Sequence, residues 1–229
     1  MSAQELEDIR SMMKRLEEFR ETEDSPEDLA KLPVLERGDL KREAAALQNE
    51  EMQLGDTFAL YHDFYTNGIG YFRLIFKIKD IPREYFPYLG ILRGLFCNLN
   101  TAHYTYAQLC NEINLATGEI FVAQNNYSGL EPDQYTLTME VCTKALYENL
   151  PKALEFMEEL ILTSDFTDTV RLKEVLAETN SKAQEYMMSA GHAVALTRAL
   201  SYVSAKAAVD EELGGIEQYR LTCELGKAL

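Results

Sequence analysis

The side chains able to do chemistry are few and scattered. The three histidines, His62, His103 and His192, lie far apart in the chain. No HExxH or HxxEH pair puts two of them on one helix face, and a catalytic zinc needs three protein ligands with an open fourth position. The cysteines Cys97, Cys110, Cys142 and Cys223 form no CxxC and read as buried free thiols of a reducing compartment. There is no GxSxG elbow, no GxGxxG and no GxxxxGK[ST], so neither a serine nucleophile nor a nucleotide site has local support. Carboxylates are abundant, but no pair stands out against the acidic background. On residue types and spacing alone the chain carries no catalytic group and no metal ligand set.

One polar pair has a defined expected register. Two aromatic and β-branched runs flank Asn67-Gly68, the strongest short-range hairpin signal, because both central residues of a type I′ turn need positive φ. If Thr66 faces Ile69, then Phe64 faces Tyr71, His62 faces Arg73 and Leu60 faces Ile75. The opposite face carries Ala59, Tyr61, Phe72, Leu74 and Phe76; it is the more apolar and is expected beneath helices. His62 beside the Arg73 guanidinium is expected to stay neutral, which argues against a protonated catalytic role.

The bulk composition narrows the partners. With 22 lysines and arginines against 38 acids, the formal charge is −16, which argues against nucleic acid, whose backbone demands a cationic surface. No apolar run approaches the ~20 residues that a membrane helix needs, and no signal peptide opens the chain. The expectation is a soluble intracellular protein, of a bacterial cytoplasm or an organelle matrix.

The elements that must position any site follow from periodicity and punctuation. Residues 2–20 read as a helix with a Ser2/Glu5 capping box and one apolar stripe, Leu6, Ile9, Met13, Leu16 and Phe19. Ser25-Pro26 restarts the chain, and an extended link runs to about Met52. After the hairpin come helices over 83–99 and 104–115, strands over 119–127 and 134–143, and a helix from Leu150 to Leu162. Further helices start at Asp168, His192 and Ile216; the one from His192 is expected to run to Ala208. Two strands, two helices, two strands and a run of helices give an α+β fold, an antiparallel sheet with helices layered mainly on one face. Residues 1–50 form a helical linker and connection, and 51–229 the α+β domain.

Several stretches in this order resemble a known family. They are 24–33 (Asp-Ser-Pro-Glu-Asp-Leu-Ala-Lys-Leu-Pro), 65–71 (Tyr-Thr-Asn-Gly-Ile-Gly-Tyr), Tyr106-Ala107-Gln108-Leu109, Glu112-Ile113 and Thr117-Gly118-Glu119-Ile120. They resemble the presequence-protease branch of the pitrilysin and insulin-degrading-enzyme superfamily of zinc metallopeptidases, in the linker and third domain after the catalytic half. That resemblance implies four related domains closing as two halves around an unfolded peptide, with zinc held in the first domain by an inverted HxxEH motif. By order of elements the motif helix corresponds to 87–96 here, with Gly90 and Gly94 at the histidine positions and Arg93 at the base. Glycines ligate no metal, and Arg93 repels one and accepts no proton at neutral pH. Glu174 or Glu178 would match the last ligand.

The resemblance therefore implies a non-catalytic chamber domain of a zinc oligopeptidase, without a cofactor of its own, zinc residing in the catalytic domain. Its partners would be the other domains and unfolded peptide substrates. Leu60, His62, Phe64, Tyr71 and Arg73 are expected to face the chamber. The alternative is a free-standing, catalytically dead homologue that scaffolds a partner. The uncovered stripe on the first helix and the stop at Leu229 are expected of a fragment.

Overall fold

The computed structural model describes residues 2–43, 48–131 and 133–228. Parts of the expected extended link (44–47), the loop between the later strands (132) and the end of the last helix (229) lie outside the described residues. Two compact units are present, Met1–Asp63 and Phe64–Leu229.

The first unit holds helix α1 (Ala3–Glu21), the short helix α2 (Pro26–Leu29) and a hairpin of β1 (Glu50–Leu54) and β2 (Thr57–Tyr61). The capping box on α1 forms: the Glu5 N–H donates to Ser2 Oγ at 3.2 Å and the Ser2 N–H donates to Glu5 Oε2 at 2.6 Å. Ser25 caps α2, its Oγ accepting from the Asp28 N–H at 3.1 Å. Leu6, Ile9, Met13, Leu16 and Phe19 of α1 are all exposed. β1 and β2 meet across a two-residue turn, Leu54 opposite Thr57, with Gly55 at φ +60° as a II′ turn requires of its first central residue.

The second unit is an antiparallel sheet in the order β3 (Ile69–Lys77), β5 (Tyr135–Leu146), β4 (Glu119–Ser128). Its helices are α3 (Phe86–Leu95), α4 (Tyr106–Ala116), α5 (Leu150–Thr163), α6 (Thr169–Ser189), α7 (Gly191–Leu200), α8 (Ala205–Gly214) and α9 (Ile216–Ala228). Val141 of β5 and Ile120 of β4 are buried with Leu109 and Ile113 of α4 and Phe156, Met157 and Leu160 of α5, and Leu74 of β3 packs against them. A second cluster joins Ile91 and Leu95 of α3 to Val175 and Leu176 of α6. Phe86 of α3, Leu137 of β5 and Val209 of α8 form the third. The chain is α+β, with an N-terminal helix ahead of antiparallel strands and packed helices.

Three expectations are corrected. The Asn67-Gly68 turn forms, at φ 53° and 82°, with the Ile69 N–H donating to Thr66 O at 3.2 Å. It does not close the expected ladder. β2 pairs with β1, and β3 pairs with β5, so Arg73 stands opposite Cys142 and Ile75 opposite Glu140. The turn is fastened instead to the end of β5. The Thr66 and Tyr147 hydroxyls share a hydrogen bond of 3.0 Å, and the Tyr147 N–H donates to Gly68 O at 3.0 Å. Residues 62–66 consequently run outside any strand. The helix expected over 192–208 breaks between Leu200 and Ala205, where the Ser204 hydroxyl accepts from the Ala207 N–H at 3.3 Å and starts α8. Of the four cysteines Cys142 alone is buried: Cys97 and Cys223 are half-buried, and Cys110 is exposed because it lies off the face of α4 that carries Leu109 and Ile113.

Candidate functional site

Helix α3 is the element on which the site residues sit. It opens with Pro87 in the first turn, where the missing N–H costs nothing, and buries Phe86, Gly90, Ile91 and Leu95 at helical spacing. It ends where Cys97 takes φ 66°. Burial pushes the Cys97 thiol up to about 11, with nearby Cys110 adding to it.

Gly90, Arg93 and Gly94 lie along one wall of a cleft of about 550 Å³, and Glu178, Thr179 and Lys182 of α6 line the same cleft. α6 is set by Asp168, whose Oδ1 accepts from the Arg171 N–H at 3.0 Å, and by its buried residues Val175 and Leu176. Glu178 pairs with Lys182 one turn on, at 2.6 Å, and that partner holds its carboxyl below the usual range. Glu174 is engaged elsewhere, by Arg171 at 2.9 Å. The structure thus brings Gly90, Arg93, Gly94 and Glu178 to one cleft, without Glu174.

These residues do not fit a zinc ion. A Cβ on Gly90 would stand 2.0 Å from the Leu213 carbonyl oxygen of α8, so no ligating side chain can leave the helix there. Gly94 offers no ligand atom, and Arg93 brings a positive charge. Among the described residues no group of three or more histidines, cysteines, aspartates or glutamates could hold a metal ion.

The sheet carries a second polar constellation, on the face opposite Leu74 and Val141. Glu140, at the middle of β5, is 0% exposed there. Its Oε1 accepts from the Tyr127 hydroxyl at 2.8 Å and the Thr138 hydroxyl at 2.7 Å, and Arg73 Nη1 stands 3.2 Å from Oε2. Burial works to raise the carboxyl's pKa. Hydrogen bonds from the Asn125, Thr138 and Tyr127 side chains and the Arg73 charge outweigh it, so the group is held low. The bond to Glu140 in turn raises the Tyr127 phenol. Tyr71, Ile75, Phe121 and Tyr127 stand exposed on this face, giving an aromatic and apolar surface around a half-exposed guanidinium.

Of the remaining sequence candidates, Tyr71 and Arg73 lie on this open face of β3. Leu60 is exposed on β2 of the first unit, and His62 and Phe64 are exposed between β2 and β3. Sequence reasoning missed Glu140. Its signal was a lone acid inside Leu137-Thr138-Met139-Glu140-Val141-Cys142, a strand with apolar residues on both parities.

The sequence model of the peptidase M-16C associated family matches residues 1–225. The chain belongs to that family. Protein HypA of Clostridium perfringens is 30% identical over 223 residues, which are 97% of this chain and 23% of that protein. A mitochondrial presequence protease of Yarrowia lipolytica is 30% identical over 206 residues, 89% of this chain and 20% of its own length. A presequence protease of Arabidopsis thaliana described as chloroplastic/mitochondrial is 25% identical over 213 residues, 92% and 20%. The chain therefore spans about a fifth to a quarter of the curated relatives it matches. No helix among the described residues is long and apolar enough to cross a membrane.

Proposed function

We propose that this chain is a non-catalytic domain of a zinc-dependent oligopeptidase of the presequence-protease type. It forms part of the wall of the closed chamber in which unfolded peptides are degraded and supplies contact with the catalytic half. Zinc belongs to the catalytic domain of that protein, and this chain takes no cofactor. The packing of Gly90 on the Leu213 carbonyl carries the reading: the position that corresponds by order of elements to a motif histidine is committed to helix–helix contact. The open sheet face, with Tyr71 and Arg73, is the surface offered to peptide. The relatives carry the matching stretch within much longer proteins, which favours a domain over a free-standing scaffold.

The test compares the purified chain with the whole protein that contains it. Metal analysis should find no stoichiometric zinc in the chain and one per catalytic half in the whole protein. Only the whole protein should cleave an unstructured peptide. One tight zinc per chain, or turnover by the chain alone, would overturn the reading.

A further inference from the structure

The cleft between α3 and α6 holds one cation, Arg93, that pairs with no described acid. Its acids already have cations: Glu178 is held by Lys182 at 2.6 Å, and Asp210 by Lys206 and by the Asn126 amide at 3.0 Å. The Arg93 guanidinium has no ion pair or hydrogen bond with any described residue. In a chain of formal charge −16, with an excess of acids over bases, this cleft presents a solvent-exposed arginine that no described acid pairs with. A volume of about 550 Å³ is that of a small-molecule or peptide-end pocket.

Gly94 adds an independent observation. Inside a helix glycine is less stable than alanine by roughly 1 kcal/mol. Yet a Cβ there would meet only Thr179 Oγ1, at 3.6 Å, which is ordinary contact. Packing therefore does not require this glycine, and a side chain at 94 would occupy cleft volume. At Gly214, on the same lining, a Cβ would meet nothing within 4 Å.

We propose that this cleft binds a carboxylate, forked by the Arg93 guanidinium, with Val175, Val194 and Leu213 holding the apolar side chain next to it. Among the described lining residues a single free cation matches a single negative charge. A phosphate dianion would bring two negative charges to that one free cation, beside the Glu178 and Asp210 carboxylates that are already paired with Lys182 and Lys206. The ligand class is the C-terminal residue of a peptide ending in an apolar side chain. That a peptide bears the carboxylate rests on the peptidase reading; the carboxylate itself does not.

The test is calorimetric or NMR titration of the full chain with N-acetyl-Ala-Ala-Leu carrying a free carboxylate, with its C-terminal amide, with free leucine and with inorganic phosphate. The acid should bind about tenfold or more tighter than the amide, the scale of one charge-assisted forked pair. Arg93→Ala should erase the difference, and Arg93→Lys should keep part of it. Gly94→Leu should weaken acid and amide alike while circular dichroism and the melting temperature report an intact fold. Equal binding of acid and amide, an unchanged preference in Arg93→Ala, or no binding at millimolar peptide would overturn the proposal. Tighter phosphate binding would overturn the choice of carboxylate, and equal binding of free leucine the choice of peptide. Zinc content and turnover of the whole protein judge the peptidase reading separately, so either can fail alone.

Discussion

Gly90 and Gly94 sit one turn apart on the same helix, and their surroundings give them opposite roles. At Gly90 a methyl group would press on the backbone of α8, 2.0 Å from Leu213 O, and backbone cannot swing aside as a flexible side chain can. At Gly94 there is room. Gly90→Ala should therefore lose about 2 kcal/mol, the overpacking penalty exceeding the gain in helix propensity. Gly94→Ala should be neutral or gain up to ~1 kcal/mol. Urea denaturation of the two variants checks this, and a loss at Gly94 as large as at Gly90 would remove the case for close α3–α8 packing. Gly90 stands out in the sequence only as a missing histidine. The carbonyl that meets it comes from Leu213, far along the chain, and no local pattern announces that approach.

Elements were legible where the signal is local and obscure where a distant partner decides. The Ser2/Glu5 box, the Ser25-Pro26 restart, the Asn67-Gly68 turn and the alternation of β4 and β5 all rest on interactions within a few residues. The partner of β3 does not. A strand of apolar residues on both parities accepts either neighbour, and the Tyr147 bonds to Thr66 and Gly68 tie this one to β5. The strap ahead of α4 is another non-local joint. The His103 N–H donates to Glu159 Oε1 of α5 at 3.1 Å, and His103 Nδ1 stands 2.8 Å from Oε2. Burial opposes ionisation of Glu159, but bonds from Thr101, His103 and Thr163 overcome it and bring its pKa from 4.5 to about 2. A carboxyl lowered on folding adds stability that is complete above its unfolded pKa and is lost as pH falls through the folded one. The window here runs from about pH 4.5 down to about 2. Glu159→Gln should lower stability at pH 7 and flatten this acid limb. An unchanged slope of stability against pH below 4.5 would refute the joint.

Across the whole molecule, charge rather than any single pair governs the response to salt. The acids outnumber the bases 38 to 22, so the folded chain repels itself. Against this stand ion pairs of two kinds. Exposed ones, such as Arg10–Glu7 and Lys14–Glu18, contribute at most about 1 kcal/mol each and are screened along with the repulsion. Pairs with a buried carboxylate, Arg73–Glu140 and Arg198–Glu211, are screened much less. Raising ionic strength from about 0.01 M to about 0.1 M shortens the screening length from ~30 Å to ~10 Å, which removes repulsion across the molecule but leaves contacts of ~3 Å largely intact. The melting temperature should therefore rise with salt, equally in NaCl and KCl. A fall would mean that the screened attraction of the exposed pairs outweighs the repulsion of the net charge. Arg73→Ala, which strips Glu140 of its cation, should lower the melting temperature at every salt concentration while keeping the upward slope. If it abolished the slope, the salt response would belong to that pair and not to the excess of acids.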